Sequence, residues 1–433
     1  MKENDGSAAR RKLGKKIGVV LLVFVISIGC LYMLDQKYSN ANEEQTDRQS
    51  LFSKLRRRRL KKPMGRDAER ILAADLNLVD IEVVSRELRQ APSDSYAGIY
   101  GIFCKVNWAA HKKDPSSVPM FRDVIQNSHK CENTRVRLPL LDIAAMARDM
   151  DETNSRQPTD IHVPKPLNVT GVVFHESRCG STLVANTLIA SNPTQHRVYS
   201  ESPPPVTAFK VCGDAFELCT IDQAAMIVRD VLYMMSRTND PSEERVFFKI
   251  QSVGSKYIHV FRHAFPDTPW IFVYREPVQV IMSHLARGYK QANCLRSLHR
   301  PPLATLQVAK RHGHYSTSDL SPEQFCAAHL ATITESALSN IQQSNGKGRA
   351  VNYDTLPTSM YETILPTHMG VPIGQPHIDR ILAVSEMYSK GRGNRKKEWQ
   401  EDSTEKTKSA SREIRDACQE FLSESYQALQ GVQ

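Results

Sequence analysis

The sequence predicts an α/β fold, a three-layer αβα sandwich around a central parallel sheet, preceded by a single N-terminal transmembrane helix. The sheet is predicted by three segments in which a short apolar run ends at a polar turn: 168–191 (NVTGVVFHESRCGSTLVANTLIAS), 245–253 (RVFFKIQSV) and 268–285 (TPWIFVYREPVQVIMSHL). The first and third continue into an apolar helical stretch. Strands that alternate with helices pair in parallel and are covered by helices on both faces.

The transmembrane helix is predicted over residues 17–34, a run of 18 uncharged and mostly apolar residues. This is about the length that a helix needs to cross the hydrocarbon of a bilayer. The run ends in large side chains rather than in a small-residue cleavage site, so it is interpreted as an uncleaved signal anchor. Lys and Arg crowd its N-terminal flank, which predicts a cytosolic tail (1–16) and a lumenal bulk.

The remaining chain divides by composition. Residues 35–66 are polar and then basic, as in a stem that holds a domain away from the membrane. Apolar residues at roughly helical spacing in 67–90 predict that a helix leads out of the stem, and 67–165 is interpreted as a helical accessory region. Residues 166–433 are then the catalytic domain.

The basic residues are concentrated near the N-terminus. Of the formal net charge of +10, residues 1–16 carry +4, residues 35–53 carry −2 and residues 54–62 (KLRRRRLKK) carry +7, which leaves about +1 for 63–433. The predicted folded part therefore has no basic excess that would suit a phosphate backbone. Nucleic acid is excluded as a partner on this ground.

Nine cysteines in a lumenal protein permit disulfides, and no CxxC pair or Cys/His cluster has zinc-like spacing. Cys30 lies within the membrane span and Cys179 within a polar loop, so both are expected to be unpaired. The pairing of the other seven stays open.

The loop 175–182 (HESRCGST) predicts an anion site. It can present backbone N–H groups, the Ser181 and Thr182 hydroxyls, the Arg178 cation and a helix N-terminus to one phosphate or sulfate. The loop is P-loop-like but is not the loop of nucleotide hydrolases, because GxxxxGK[ST] would need Gly at 175 and Lys at 181. ATP and GTP are thereby disfavoured.

A second anion site is predicted at the end of the neighbouring strand. Arg275 ends that strand, and Ser283 follows eight residues later, about two helical turns along. Both side chains can therefore converge on a second phosphate.

These two motifs, SRCGST and YREPVQVIMS, resemble the 5′-phosphosulfate and 3′-phosphate motifs of sulfotransferases that use 3′-phosphoadenosine 5′-phosphosulfate (PAPS). The resemblance runs from about residue 168 to 425 and is greatest to the membrane-bound, Golgi-type carbohydrate enzymes. Further matching phrases are YSESPPP, FFKIQ, VNYDTL, and YSKGRG followed by EDSTEK. Soluble members of the family commonly carry Lys where this chain has Arg178.

The resemblance implies PAPS as the co-substrate. It implies that the 5′-phosphosulfate is held by Arg178, Cys179, Gly180, Ser181 and Thr182. It implies that Arg275 and Ser283 hold the 3′-phosphate and that Lys390 and Gly391 close over the nucleotide.

Sulfuryl transfer needs an acceptor oxygen in line with the leaving phosphate, a base for its proton and cations where charge develops, but no metal. Glu201 is the predicted base, since it lies 21 residues after Gly180, where related carbohydrate enzymes place a Glu-Pro pair. Here Ser202 intervenes before Pro203, and His175 or Glu176 is the next candidate. Lys249 ends an apolar strand, where it would stabilise the sulfuryl oxygens or would simply be an exposed lysine.

Histidines at 259, 263 and 284 are interpreted as structural, with satisfied hydrogen bonds. They lie near helical apolar stretches rather than in either anion motif.

Two other functions remain open. A metal-dependent type II glycosyltransferase would use an Asp-x-Asp pair such as Asp149 and Asp151, and a non-catalytic, membrane-tethered protein would only bind a nucleotide or glycan. The acceptor is expected to be a carbohydrate hydroxyl in the Golgi lumen, with tyrosine, lipid or a small alcohol also open. The sequence predicts no oligomeric state.

The predicted topology can be tested in microsomes. Protease added outside intact vesicles should remove only the short N-terminal tail, because the signal anchor places the catalytic domain in the lumen. Immunoblotting of the C-terminal part before and after detergent measures this protection. Digestion of the catalytic domain in intact vesicles would refute the type II orientation.

Overall fold

The computed structural model describes residues 65–156, 163–214, 216–286, 288–392 and 398–432. The predicted tail, membrane span and almost all of the stem lie outside these residues. Within them, no helix has both the length and the apolar character that crossing a bilayer requires. Residues 65–433 form one compact unit.

The strands are, in chain order, β1 (Asn77–Val83), β2 (Ile99–Cys104), β3 (Val136–Pro139), β4 (Lys165–Pro166), β5 (Asn168–His175), β6 (His196–Ser200), β7 (Arg237–Thr238), β8 (Arg245–Lys249), β9 (Trp270–Tyr274) and β10 (Gly348–Asn352). Five of them form the central sheet in the order β10-β9-β5-β8-β6, and every neighbouring pair is parallel. The predicted central parallel sheet is therefore confirmed.

The α-helices are, in chain order, α1 (Arg66–Leu72), α2 (Ser85–Arg89), α3 (Ala109–Lys113), α4 (Phe121–Gln126), α5 (Leu140–Ser155), α6 (Ser181–Ser191), α7 (Pro203–Phe209), α8 (Ile221–Ser236), α9 (Ile258–Ala264), α10 (Pro277–Leu285), α11 (Leu303–Arg311), α12 (Pro322–Gln342), α13 (Gln375–Ser385), α14 (Ser403–Ser409), α15 (Arg412–Phe421) and α16 (Ser423–Gln430). A π-helix spans Met360–His368, and short 3₁₀ turns span Glu132–Thr134, Ser252–Tyr257, Tyr289–Gln291, Asn293–Leu295, Thr317–Asp319 and Tyr353–Thr355.

The three segments that predict the sheet form the expected elements. Strand β5 leads through a loop into α6, β8 ends at Lys249, and β9 leads into α10 with Pro277 in the first turn of the helix. All residues of β9 are buried, as expected for a parallel strand that is covered on both faces. Proline is suited to the first turn, where its missing N–H leaves no hydrogen bond unmade.

The predicted helix over 67–90 and the helical character of 67–165 are only partly correct. Residues 66–72 and 85–89 are helical, but β1 lies between them and forms an antiparallel three-stranded sheet with β2 and β3. In β1, Leu78 and Val79 are both buried, so its apolar run does not alternate strictly and its spacing is close to that of a helix. This segment forms a strand because it pairs with β2, and local spacing does not reveal that pairing.

Three disulfides join Cys104 to Cys131, Cys212 to Cys219, and Cys294 to Cys326. Among the described residues, Cys179 and Cys418 are free and buried, so the expectation that Cys179 is unpaired is confirmed. Cys30 lies outside the described residues.

A buried ion pair joins α5 to the central part of the chain. Both oxygens of Asp151 accept hydrogen bonds from Arg237, at 2.8 and 2.7 Å. Arg237 also donates to the carbonyl oxygens of Ile71 and Leu72, at the end of α1. The Asp151 carboxylate is therefore committed to a structural contact.

Candidate active site

A cleft of about 2170 Å³ opens where the strands of the central sheet end. In parallel α/β sheets, ligands bind at the carboxyl ends of the strands. The predicted site residues that line this cleft are Arg178, Gly180, Ser181, Thr182, Glu201, Arg275, Ser283, Lys390 and Gly391. Cys179 and Lys249 do not line the cleft, although the Lys249 ammonium contacts Glu201 from beneath it.

The loop 175–182, which we call the cradle, joins β5 to α6 and adopts an unusual backbone. Arg178 and Gly180 both have positive φ, at 70° and 83°. A Cβ atom at Gly180 would lie 2.3 Å from the ring of Tyr353, so glycine is needed for the close approach as well as for the turn. Positive φ is uncommon for a residue such as Arg178 and costs of order 1–3 kcal/mol, which typically marks a functional loop.

Cys179 takes part in the cradle through its backbone only. Its thiol is buried and donates a hydrogen bond to the Glu176 carbonyl oxygen at 2.9 Å. Burial raises the pKa of the thiol to about 12, so the side chain is neutral and inert.

Glu176 is a structural residue rather than a base. Its carboxyl group is buried and accepts a hydrogen bond from the Arg275 backbone N–H at 2.6 Å, which joins the ends of β5 and β9. Burial raises its pKa to about 8, and the hydrogen bond from Arg275 opposes that rise only in part.

Arg275 lies in the cleft with its guanidinium already engaged. It donates from Nε to Gln279 at 2.7 Å and from Nη2 to the Ser403 hydroxyl at 2.7 Å, and Nη2 lies 3.3 Å from an Asp402 oxygen. The guanidinium carbon lies 4.1 Å from the centre of the Tyr353 ring. Strand β9, helix α10 and the start of α14 therefore hold this cation together.

Glu201 and Lys249 form an ion pair at the ends of β6 and β8. The Lys249 ammonium donates to a Glu201 carboxylate oxygen, and the Glu201 backbone N–H donates to the Lys249 carbonyl oxygen at 2.8 Å. Glu201 has a φ of 57°, which turns its chain sharply at the strand end. Lys249 is only 1% exposed, so the prediction of an exposed strand-end lysine is wrong. Its ammonium holds Glu201 instead of facing the open cleft.

The charges around Glu201 keep its carboxylate ionised. Burial alone would raise its pKa, but the Lys249 ammonium, the main opposing cause, outweighs burial and the pKa falls to about 2. A general base works best when its pKa is near the working pH, so the low pKa makes Glu201 a weak base in the resting site. As the predicted base, it would accept a proton only once the acceptor hydroxyl becomes acidic during the reaction.

His175 stands behind Glu201, with its Nε2 atom 3.7 Å from Oε1 of that carboxylate. Its Nδ1 lies 2.7 Å from the Glu176 carbonyl oxygen, and since a carbonyl only accepts, Nδ1 carries the proton. Burial, and then the nearby Lys249, lower its pKa to about 3. His175 is therefore neutral near pH 7.

Lys390 approaches the same carboxylate from a distant segment. Its loop is anchored where Asn186 of α6 donates to the Ser389 carbonyl oxygen at 3.1 Å, and where Arg392 donates to Asp123 at 3.2 Å. Burial, and then repulsion from Lys249, lower the pKa of Lys390 to about 8. A bound anion would relieve this repulsion.

The three histidines interpreted as structural differ from one another. His263 lies 2.6 Å from Asp222 on the surface, and the His259 ring packs against Phe216. His284 is buried at the cleft, and its Nε2 has no hydrogen-bond partner among the described residues. The expectation of a satisfied histidine is therefore wrong for His284.

Several cleft residues were not predicted. Tyr353 covers Gly180, while Asp402 and Ser403 contact Arg275. Tyr353 lies in the phrase VNYDTL, and Asp402 and Ser403 lie in EDSTEK, which follows YSKGRG. No local pattern, however, indicates that these residues contact Arg275.

The fold and site define an α/β protein in which the loop between β5 and α6 and a lysine-held carboxylate share one cleft. No family model matches the chain, and no curated protein matches it. Solved structures that are similar to the chain include several sulfotransferases.

A sulfotransferase domain of the curacin biosynthetic pathway is 13% identical, with 59% of this chain and 98% of that chain covered and a TM-score of 0.35. The sulfotransferase domain of the Synechococcus PCC 7002 olefin synthase is 13% identical, with 64% and 97% covered and a TM-score of 0.31. A Mycobacterium avium sulfotransferase is 10% identical, with 73% and 85% covered and a TM-score of 0.34. These TM-scores are low, and no residue assignment rests on them.

If Glu201 is the base that the sequence predicts, replacing it by Gln should lower kcat at least roughly a hundredfold, because the acceptor proton would then have no base. Affinity for adenosine 3′,5′-bisphosphate should be nearly unchanged. Since Glu201→Gln leaves the buried Lys249 without an anion, stability should also fall. Initial rates, calorimetry and thermal unfolding measure these effects.

The double variant Glu201→Gln/Lys249→Met is the control for stability. It removes the stranded charge, so it should recover stability without recovering turnover. Near-normal kcat in folded Glu201→Gln would contradict the assignment and make His175 the better candidate.

Lys390 should make anion binding depend on pH. Below its pKa of about 8 the ammonium attracts the nucleotide, and above it the charge is lost, so affinity should fall as pH rises through this value. Between about pH 7 and 10, Lys390→Arg should flatten this dependence, because arginine stays charged. Lys408→Arg, at an exposed position, is the matched control. If the pH dependence of anion affinity is unchanged in Lys390→Arg, a group other than Lys390 causes it.

Proposed function

We propose that this protein transfers a sulfuryl group from PAPS to an acceptor hydroxyl by in-line displacement. The observation that carries the proposal is the placement of the anion cradle and the Lys249-held Glu201 in one cleft, at the ends of neighbouring parallel strands. A strand, cradle and helix over 168–191 also suit the P-loop-like sandwich that the sequence predicts.

Each residue of the cleft has a distinct part in this reaction. The amides at the start of α6, the Ser181 and Thr182 hydroxyls and Arg178 hold the 5′-phosphosulfate. As the acceptor oxygen bonds to sulfur, the bond from sulfur to the 5′-phosphate oxygen breaks and that phosphate gains negative charge. Arg178 and Lys390 stabilise this charge.

Glu201 accepts the proton of the acceptor hydroxyl, and Lys249 is a positioning residue that orients the carboxylate. The products are the sulfated acceptor and adenosine 3′,5′-bisphosphate. This assignment changes the expected part of Lys249, which acts through Glu201 because its ammonium is buried beneath that carboxylate.

A Golgi membrane location, type II orientation and a carbohydrate acceptor complete the proposal. Three disulfides suit a domain that folds in the oxidising secretory lumen. The uncharged run at 17–34 and its basic flank support the anchor. The carbohydrate acceptor rests on the motif resemblance and on this topology.

The glycosyltransferase alternative loses its candidate metal ligands. Asp151 is buried and paired with Arg237, while Asp149 is exposed, and neither residue lines the cleft. A metal at this pair would have to break a buried ion pair, which typically costs about 3–5 kcal/mol.

The test is transfer of radiolabel from PAPS by the full chain in detergent, with a panel of desulfated glycans, peptides and alcohols and with a chelator present. Sulfated glycan should form and should be insensitive to chelation. Glycosyl transfer that the chelator abolishes would favour the alternative, and nucleotide binding without transfer to any acceptor would favour a binding protein.

The donor assignment predicts a selective effect of Arg275→Ala. Affinity for PAPS should fall about tenfold or more, while affinity for adenosine 5′-phosphosulfate, which lacks the 3′-phosphate, should change little, because a charge-assisted contact is lost only with the former. Arg412→Ala, at a surface pair with Asp416, is the matched control. Equal losses for both nucleotides would refute the assignment.

A further inference from the structure

A short acidic segment lies at the mouth of the cleft beside Arg275. We define residues 399–407 (WQEDSTEKT) as the acidic strap. Cleft-lining residues in the strap include Glu401, Asp402, Glu405 and Lys406. Two hydrogen bonds fix it to α10 and β9: Arg275 donates to Ser403 at 2.7 Å, and Gln279 donates to Thr407 at 3.3 Å.

Asp402 is oriented against its usual local preference. It precedes α14 at the N-cap, where an aspartate normally accepts a hydrogen bond from a backbone N–H of the first turn. Its side chain makes no such bond. The Ser403 N–H donates instead to Glu401, at 2.5 Å.

The Asp402 carboxylate lies between two cations. One oxygen lies 3.3 Å from Arg275 Nη2 and the other 2.6 Å from Lys406 Nζ. The Asp402 side chain is 52% exposed, whereas that of Arg275 is 6% exposed. The exposed Asp402 carboxylate thus covers the buried Arg275 guanidinium. Because this carboxylate is already in contact with water, it can move away without losing hydration.

We propose that Asp402 occupies the place of the nucleotide 3′-phosphate in the free protein, and that Ser403 and Lys406 belong to the binding site of that phosphate. This inference rests on the proposed function. A phosphate carries more charge than a carboxylate and has three acceptor oxygens. It can therefore replace Asp402 in its contacts with Arg275 and Lys406, and it can also accept a hydrogen bond from the Ser403 hydroxyl. The displaced carboxylate then turns to solvent or caps α14.

The proposal makes opposite predictions for two neighbouring charges. Asp402→Asn removes the internal competitor and should tighten binding of adenosine 3′,5′-bisphosphate several-fold, about three- to tenfold, since an exposed ion pair is weak. Lys406→Met removes a ligand of the phosphate and should weaken binding about tenfold. Binding of adenosine 5′-monophosphate, which lacks the 3′-phosphate, should stay close to wild type in both variants.

The measurement is titration calorimetry of the full chain at one fixed salt concentration, with thermal unfolding as a check on folding. Lys408→Met is the control for Lys406 on the same helix, and Asp416→Asn is the control for Asp402 at another exposed ion pair. Both controls should bind both nucleotides like wild type.

Three results would overturn the inference. If wild type prefers the bisphosphate but Asp402→Asn and Lys406→Met match their controls, the strap assignment is wrong and the proposed function stands. If Lys406→Met lowers the affinity for both nucleotides equally, Lys406 does not bind the 3′-phosphate. If wild type does not distinguish the two nucleotides, the PAPS assignment itself is wrong, and the strap assignment is wrong with it.

Discussion

The ion pair between the buried Lys249 and the half-buried Glu201 is the interaction on which the site depends. A lysine ammonium that is almost fully buried needs an anionic partner, because an unpaired buried charge is strongly destabilising. Glu201 supplies that anion from the neighbouring strand and adopts a positive φ in doing so. The carboxylate is therefore held in one place at the sheet edge. Its orientation is determined by the stability of the fold rather than by a bound substrate.

Cations surround this pair and repel one another. Lys390 faces Lys249 and Arg178, and after burial the repulsion from Lys249 contributes most to its lowered pKa. The free protein thus keeps positive charges close together with Glu201 as the shared counter-ion. An anionic ligand in the cradle would add the negative charge that these groups lack. The same electrostatics that lower the pKa of Lys390 therefore favour the binding of an anion, as the proposed function requires.

Local patterns were sufficient for the central sheet, the cradle and the first turn of α10, because apolar runs, Gly180 and Pro277 act on their own segments. They failed where distant residues meet. Strand β1 depends on pairing with β2, and the contact of Asp402 with Arg275 joins residues 127 positions apart. The burial of Lys249 likewise needs Glu201, 48 residues before it. Disulfide pairing was open for the same reason.

Two carboxylates in the cleft, Glu201 and Asp402, are paired with cations, and the burial of their partners separates their roles. Lys249 cannot reach water, so releasing Glu201 would strand a buried charge. Lys406 is 20% exposed and Asp402 is 52% exposed, so both groups stay hydrated when they separate. The other partner of Asp402, Arg275, is buried, but it keeps its hydrogen bonds to Gln279 and Ser403 when Asp402 leaves. These contacts support the proposal that Glu201 is a permanent part of the site and that Asp402 is exchangeable. That difference suits the proposed transfer reaction, in which the base would stay in place while the nucleotide site is filled and emptied in every turnover.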